Sequence, residues 1–510
     1  MFKISSFARI RLHKIKVILK PDGLIVRFFV LSNMLLVSPV LAAPYIIEAG
    51  NKELRDNLQW LVDRGVIDIS TSTWPIPLSV LDDAVVNYKK VGLSRGDVHA
   101  LISVRKYIEE QKKAVVGAGL QLNSAKFPQV GFAEQSKSTV TSTFYSQSGG
   151  KNWAAKLRVN GLVSPMTGTQ STFNIQGSYV ATTGFGQLLY AGQVAHWWGP
   201  GQDGSLIWGN SATAIPGIGL QRALQSRPEN SWLSWVGPWG YDLFIGQLQH
   251  DSAIPHARVL NMRLFARPLR GLEIGASRFI QWGGQGRRNS LSAIWDALVG
   301  NSNDLGRTAD PGNELAGFDV RYTFPFNGNP ITLYLQMVGE DEAGALPSKY
   351  LAQVGAQYKH MAGSSRIQWH VEAADTMAQR MFGLRSGLPG LAYSHTVYRS
   401  GLYHDGLPIA HPIGGSGKLY SAGVTFIPSD YKNYSQYSFR ILKAEVNPNN
   451  EQINQAFPRR NSWYGGEVIV SWKLDSIIFR AGITAIRSNG PIRDNSFGVM
   501  LGFSVPLSRN

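Results

Sequence analysis

The sequence predicts an all-β transmembrane barrel of about 18 antiparallel strands, with a small helical bundle before it. Three observations predict this: an export-type N-terminus, a long series of segments in which every second residue is apolar, and connections that alternate between short and long. The clearest segment carries Phe497, Val499, Leu501, Phe503, Val505 and Leu507, with Gly498, Met500, Gly502 and Ser504 between them. Successive side chains on a strand point to opposite faces, so this is one greasy face and one small or polar face. The same dyad recurs at Phe318–Phe324, Ile331–Met337, Ile367–Ala373 and Val468–Leu474.

Composition agrees. The 510 residues suffice for one large barrel and a small accessory domain. Apolar residues make up 44%, yet no stretch beyond the N-terminus supplies the ~18 uncharged apolar residues of a membrane helix. The 14 Trp and 19 Tyr suit the interfacial girdles of a barrel. Without Cys there is neither a disulfide framework nor a thiolate metal site.

In chain order, residues 1–42 read as a signal peptide. Lys3, Arg9, Arg11, Lys14, Lys16, Lys20 and Arg27 form a long basic region, Phe28 to Val37 the apolar stretch, and Val40-Leu41-Ala42 the cleavage site. Removing seven basic residues and one acid leaves +10 of the formal +16. That balance favours anionic partners, an acidic polysaccharide or lipopolysaccharide phosphate; export makes nucleic acid an unsuitable one.

Residues 44–114 read as a periplasmic bundle of three short helices. Leu54, Leu58, Leu61 and Val62 share one helical face. Trp74-Pro75-Ile76-Pro77 interrupts the chain, and Ser79/Asp82 and Ser94/Asp97 have capping-box spacing.

The barrel is expected over 115–510. Strands read at 115–123, 138–146, 153–163, 171–181, 187–194, 240–249, 258–267, 272–280, 316–324, 331–339, 350–359, 365–374, 419–427, 435–446, 463–474, 477–487 and 496–507. Short connections (268–271, 325–330, 359–364, 428–434, 475) alternate with long ones (281–315, 340–349, 375–418, 447–462). Barrels of this kind have short periplasmic turns and longer outer loops, so the long connections face outward. Parity then demands an odd number of strands between 195 and 239. Ile218–Leu224 is the candidate, making 18, with 16 as the alternative.

The least repetitive stretch is His196-Trp197-Trp198-Gly199-Pro200-Gly201-Gln202-Asp203-Gly204-Ser205-Leu206-Ile207, followed by Asn210, Pro216, Arg222 and then Trp232-Leu233-Ser234-Trp235-Val236-Gly237-Pro238-Trp239. Together with Trp74-Pro75, this resembles the capsule assembly Wzi family of outer-membrane proteins. The resemblance implies an 18-stranded barrel with a periplasmic helical bundle, acting as a surface lectin that helps attach or organise capsular polysaccharide. It spans essentially the whole chain after the signal. One departure is the C-terminus: many outer-membrane barrels end on a Phe read by the insertion machinery, whereas this chain ends Leu507-Ser508-Arg509-Asn510.

Within the motif, Trp197, Trp198, Gly199, Pro200, Arg222, Trp235 and Trp239 read as structural, the Gly-Pro pairs holding an in-folded loop in one shape. Asp203 and Arg222 are expected to pair in the lumen, where a lone charge is costly. The long connections mix Arg forks, which bind carboxylates bidentately, with aromatic faces for stacking. Trp282, Arg287, Arg288, Arg307, Arg385, Tyr393, Arg399 and Tyr403 are the candidate polysaccharide-binding residues, and Trp295 lies among them.

No catalytic set emerges. Gly414-Gly415-Ser416-Gly417 is a glycine loop rather than a nucleophile elbow, the acids of the long connections are not a facing pair, and His395, His404 and His411 lack metal-ligand spacing. Taken with the resemblance, which implies lectin activity, the expected function is that of a non-enzymatic, cofactor-free, monomeric lectin. The alternative is a porin or substrate-specific channel, with Asp319, Arg321, His370, Glu372, Arg440 and Arg480 lining its lumen.

Overall fold

The computed structural model describes residues 46–509 apart from 91, 125–130, 135, 166–170, 229–230, 251, 299–311, 344–345, 380–389, 431–433, 451–456, 475 and 491–494. The expected signal peptide and the candidates Arg307 and Arg385 lie outside the described residues.

Strong outward–inward alternation closes the chain into an 18-stranded antiparallel barrel. Its strands are β1 (Val115–Asn123), β2 (Ser138–Gly149), β3 (Trp153–Pro165), β4 (Tyr179–Gly184, preceded by a short piece at Phe173–Asn174), β5 (Gln187–Gly192), β6 (Gly217–Arg222), β7 (Trp239–Gln247), β8 (Arg258–Ala266) and β9 (Leu272–Trp282). They continue as β10 (Asn313–Phe326), β11 (Asn329–Ala343), β12 (Leu346–Ala362), β13 (Ser365–Gln379), β14 (Gly417–Pro428), β15 (Tyr434–Val446), β16 (Asn461–Leu474), β17 (Ile477–Ser488) and β18 (Asn495–Arg509). β18 returns to β1, from Met500↔Asn123 to Arg509↔Val115, leaving no open edge.

The alternation is inverted relative to a water-soluble protein. On β10, Phe318 and Tyr322 face outward and are exposed, while Asp319 and Arg321 face inward and are buried. Lipid accepts apolar side chains, so the charged ones turn into the lumen. Outward aromatics cluster near the short-turn end: Tyr322 beside Phe324, Phe426 beside its register partner Tyr437, and Trp472 beside Phe479.

Four segments differ from the sequence reading. The fourth strand is interrupted between Asn174 and Tyr179. The connection expected at 340–349 shrinks to two residues because β11 and β12 run on to Ala343 and Leu346. The 281–315 connection contains a helix, α4 (Leu291–Leu298). Ser79 is no N-cap: its hydroxyl donates to the Ala223 carbonyl at 2.6 Å, and α2 (Leu78–Val86) starts behind Pro77 instead.

The other helices are α1 (Lys52–Asp63) and α3 (Arg95–Gln111). The Ser94/Asp97 capping box forms at the start of α3. Asp97 also accepts from Trp60 Nε1 and Arg64 Nε, tying α3 to α1. α1 is buried nearly all round. Leu54, Leu58 and Leu61 enter the helical core, while Arg55, Asp56, Asn57 and Gln59 on the other side are buried in the lumen.

Candidate functional site

Two structures converge inside the barrel. One is α1. The other is the segment Val194–Ile215, which leaves β5, folds into the lumen and returns to β6.

That segment is built on aromatic packing. The His196 ring lies flat on Trp208 at 3.8 Å, and Trp198 meets Trp208 edge-on at 4.8 Å. Trp197 and Trp198 pair as a short antiparallel strand with Trp74 and Thr73. Trp198 Nε1 donates to Asp242 at 3.1 Å. Burial drives the His196 imidazole down to about 3, so it is neutral and hydrogen-bonds Tyr190 and the Val194 carbonyl. Both motif tryptophans are fully buried, which suits a stopper and leaves no face for a sugar.

The backbone of the motif is clamped by polar side chains of the wall. Gln336 donates to the Trp198 carbonyl at 2.8 Å and accepts from the Leu206 amide at 2.9 Å. Glu372 accepts from the Gln202 and Asp203 amides and from the Tyr334 hydroxyl. Gly199 sits at φ +140°, where a Cβ would lie 2.6 Å from Gln336 Nε2; only glycine fits.

Asp203 does not pair with Arg222, contrary to the sequence expectation. It is bound by Arg440, Ser421 and His370. Burial alone would raise this carboxyl, but Arg440 and His370 outweigh it and hold it well below the usual carboxylate range. Arg222 is in the outward phase of β6, with its guanidinium 4.4 Å from the Trp239 ring and donating to the Trp239 and Ser226 carbonyls. Parity explains the error: Asp203 is in a loop that crosses the lumen, whereas Arg222 shares its strand face with the exposed Ile218.

α1 is docked from the other side. Asp63 receives a bidentate Arg321 (2.6 and 2.8 Å) and Lys359 at 2.5 Å, and Glu53 pairs with Arg480 at 2.7 Å. Arg55 donates to the Gly201 carbonyl at 2.7 Å and lies over Phe132 and Trp197, joining helix to motif. The residues read as a channel lining are inward-facing, but Asp319 is taken by Arg263 and the others by the plug and its neighbours. A cavity of about 480 Å³ remains beside α1, against β15–β18 and β1–β3. Paired charges line it, among them Lys156–Glu48, Arg158–Glu134 and Lys473–Glu110.

This arrangement of barrel, in-folded motif and docked helices can be set beside known proteins. The sequence model of capsule assembly protein Wzi matches residues 120–489. The chain belongs to the capsule assembly protein Wzi family. A Klebsiella pneumoniae relative, described as an uncharacterized 55.8 kDa protein in the cps region, is 35% identical over 462 residues, covering 90% of this chain and 89% of the relative. The solved Escherichia coli Wzi, described as an outer-membrane protein involved in group 1 capsule assembly and a carbohydrate-binding β-barrel, superposes with a TM-score of 0.81 at 33% identity. That match covers 91% of this chain and 100% of the other. This Wzi-family chain is thus an 18-stranded outer-membrane β-barrel.

At the long-loop end the sequence candidates separate. Trp282, Tyr393 and Tyr403 are buried, so in this state their rings offer no stacking face. Tyr393 donates to the Leu206 carbonyl at 2.9 Å, linking the cap to the lumenal segment. Trp282 and Ile280 form the floor on which Ala293 and Ile294 of α4 rest. Trp295 of the same helix is 64% exposed. Arg288 and Arg399 are exposed and Arg287 is half-buried. Their loops are tied together by Tyr398 Oη donating to the Gly283 carbonyl at 3.0 Å and by the Ala253 amide donating to Ser400 Oγ at 2.6 Å. Burial first, and Arg287 second, lower His395 to about 4, so it adds no charge there at neutral pH. Sequence reasoning missed Asp63, Gln336 and Gln353, whose Nε2 donates to the Gly204 carbonyl at 3.0 Å and to Glu372 at 2.6 Å; their only signal was the inward phase of a polar residue or its place at the end of α1.

Proposed function

We propose that this chain is a non-enzymatic outer-membrane lectin that binds acidic capsular or exopolysaccharide and assists its assembly or attachment at the cell surface. The observation that carries this reading is the stoppered lumen beneath an exposed, tied cap bearing Arg287, Arg288, Trp295 and Arg399. Guanidinium forks suit the carboxylates of an acidic glycan, and the indole face suits a pyranose ring. The description of Escherichia coli Wzi as a carbohydrate-binding barrel supports the same reading.

In this reading residues 1–42 are removed on export, the 44–114 bundle faces the periplasm and the 115–510 barrel spans the membrane as a monomer. The insertion machinery seats it among lipopolysaccharide and outer-membrane lipid. The cavity beside α1 favours one second reading, a narrow channel.

The deciding experiment is binding of detergent-solubilised protein to the source strain's surface polysaccharide across ionic strength. Saturable, salt-sensitive binding that weakens at least tenfold in Arg288→Ala/Trp295→Ala is expected, a factor equivalent to about 1.4 kcal/mol. Absence of binding at any salt, with measurable single-channel conductance, would favour the channel.

A further inference from the structure

Beyond the last ladder rung of β6 and β7, at the short-turn end, the connection 223–238 carries a 3₁₀ turn at Ser231–Val236. Trp232 and Trp235 on this turn are 73% and 66% exposed. Phe185 on the β4–β5 turn and Leu269 on the β8–β9 turn are also exposed. These three turns are neighbours on the rim. Large apolar rings left in water on adjacent turns are costly unless something covers them.

The adjoining strand shows what that is. Trp235 leads through Gly237 into the outward phase of β7, where Trp239 and Tyr241 give way to the exposed Leu243 and Ile245 of the lipid-facing wall. The exposed turn therefore continues the aromatic girdle past the strand ends, to headgroup depth. Cations accompany it. Arg222 lies in the lipid-facing phase of β6 with its guanidinium against Trp239, and Arg227 is exposed on the same connection. The β6–β7 connection, taken with Arg222, holds two arginines against one acid, Glu229.

We propose that this Trp-Arg turn is an interfacial foot that lies in the headgroups of the leaflet at the short-turn end and takes anionic phospholipid. Indole rings settle at the headgroup boundary, and guanidinium groups reach from there to lipid phosphates. The foot fixes the rotational setting and depth of one side of the barrel, the side against which α2 packs through Ser79 and Ala223.

The absence of native cysteine makes the test direct. Ser234→Cys, labelled with an environment-sensitive fluorophore, is placed in nanodiscs of phosphatidylcholine brominated near the glycerol end, with and without a quarter phosphatidylglycerol. Lys90→Cys on the bundle is the water-exposed control. The expected result is blue-shifted emission at position 234, more than half of it quenched, with stronger quenching when phosphatidylglycerol is present. Arg222→Gln/Arg227→Gln abolishes that increment, and Arg227→Gln alone halves it. Should labelling disturb the turn, the loss of lipid-quenchable tryptophan emission in Trp232→Phe/Trp235→Phe reports the same depth. Water-like, unquenched emission in both compositions overturns the foot; quenching indifferent to phosphatidylglycerol overturns its anionic preference.

Discussion

Asp63 is where the plug can be released by one atom's change. Its carboxylate is fully buried and faces two cations, Arg321 and Lys359, with Thr323 Oγ1 donating at 3.1 Å. Asp63→Asn keeps the volume and removes the charge, leaving two buried cations on the wall without their shared anion. Breaking a buried pair in this way costs about 3–5 kcal/mol. At about 1.4 kcal/mol per decade, the undocked population of α1 rises by roughly two to three and a half decades. Planar-bilayer recordings should show frequent openings in the variant and few in the parent, and its thermal transition should fall. Adding Lys359→Met, which removes one stranded cation, should recover part of both. The pH response has a defined sign. Burial alone would raise the Asp63 carboxyl, but Arg321 and Lys359 depress it well below its ordinary value. Its stabilisation is therefore present above the unfolded value of about 3.9 and is lost only as pH falls toward the folded one. Mild acid alone should not undock the plug through Asp63. Parent-like conductance and melting in Asp63→Asn would refute the latch.

Three further outcomes follow from the same geometry. Gly199→Ala places a Cβ against Gln336 at a positive φ and should cost about 1–3 kcal/mol, read as a lower melting temperature with little effect on polymer affinity. His99 is lowered to about 4 by burial first and Arg366 second, and burial lowers His196 to about 3. Both must be neutral in the fold, so stability should hold above pH ~6.5 and decline from there toward pH 4, by up to about 3 kcal/mol for each; a flat melting profile, or one that His99→Gln leaves unaltered, would contradict this. Tyr393→Phe removes the hydrogen bond to the Leu206 carbonyl and should cost about 1 kcal/mol of stability without changing polysaccharide affinity; a selective loss of affinity would return Tyr393 to the binding site.

The sequence by itself determined the barrel and the alternation of its strand faces, and it narrowed the strand number to 18 or 16; the closed ladder settled 18 and put Arg222 on the outer face rather than in the lumen. Strand periodicity is local: Asp319 and Arg321 must fall on the face opposite Phe318 and Tyr322 whatever the rest of the chain does. The capping box at Ser94 is equally local and was legible, whereas Ser79 has the same spacing but spends its hydroxyl on Ala223, 144 residues away. The tertiary structure alone decided partners and exposure. Asp203 met Arg440 rather than Arg222 because a loop crossing the lumen can reach any inward strand, and nothing in its own residues says which. Trp282, Tyr393 and Trp295 look alike along the chain, but folding of the cap buries the first two and leaves the third in solvent. Burial is a property of what packs on a residue, and for loops those neighbours are distant in sequence.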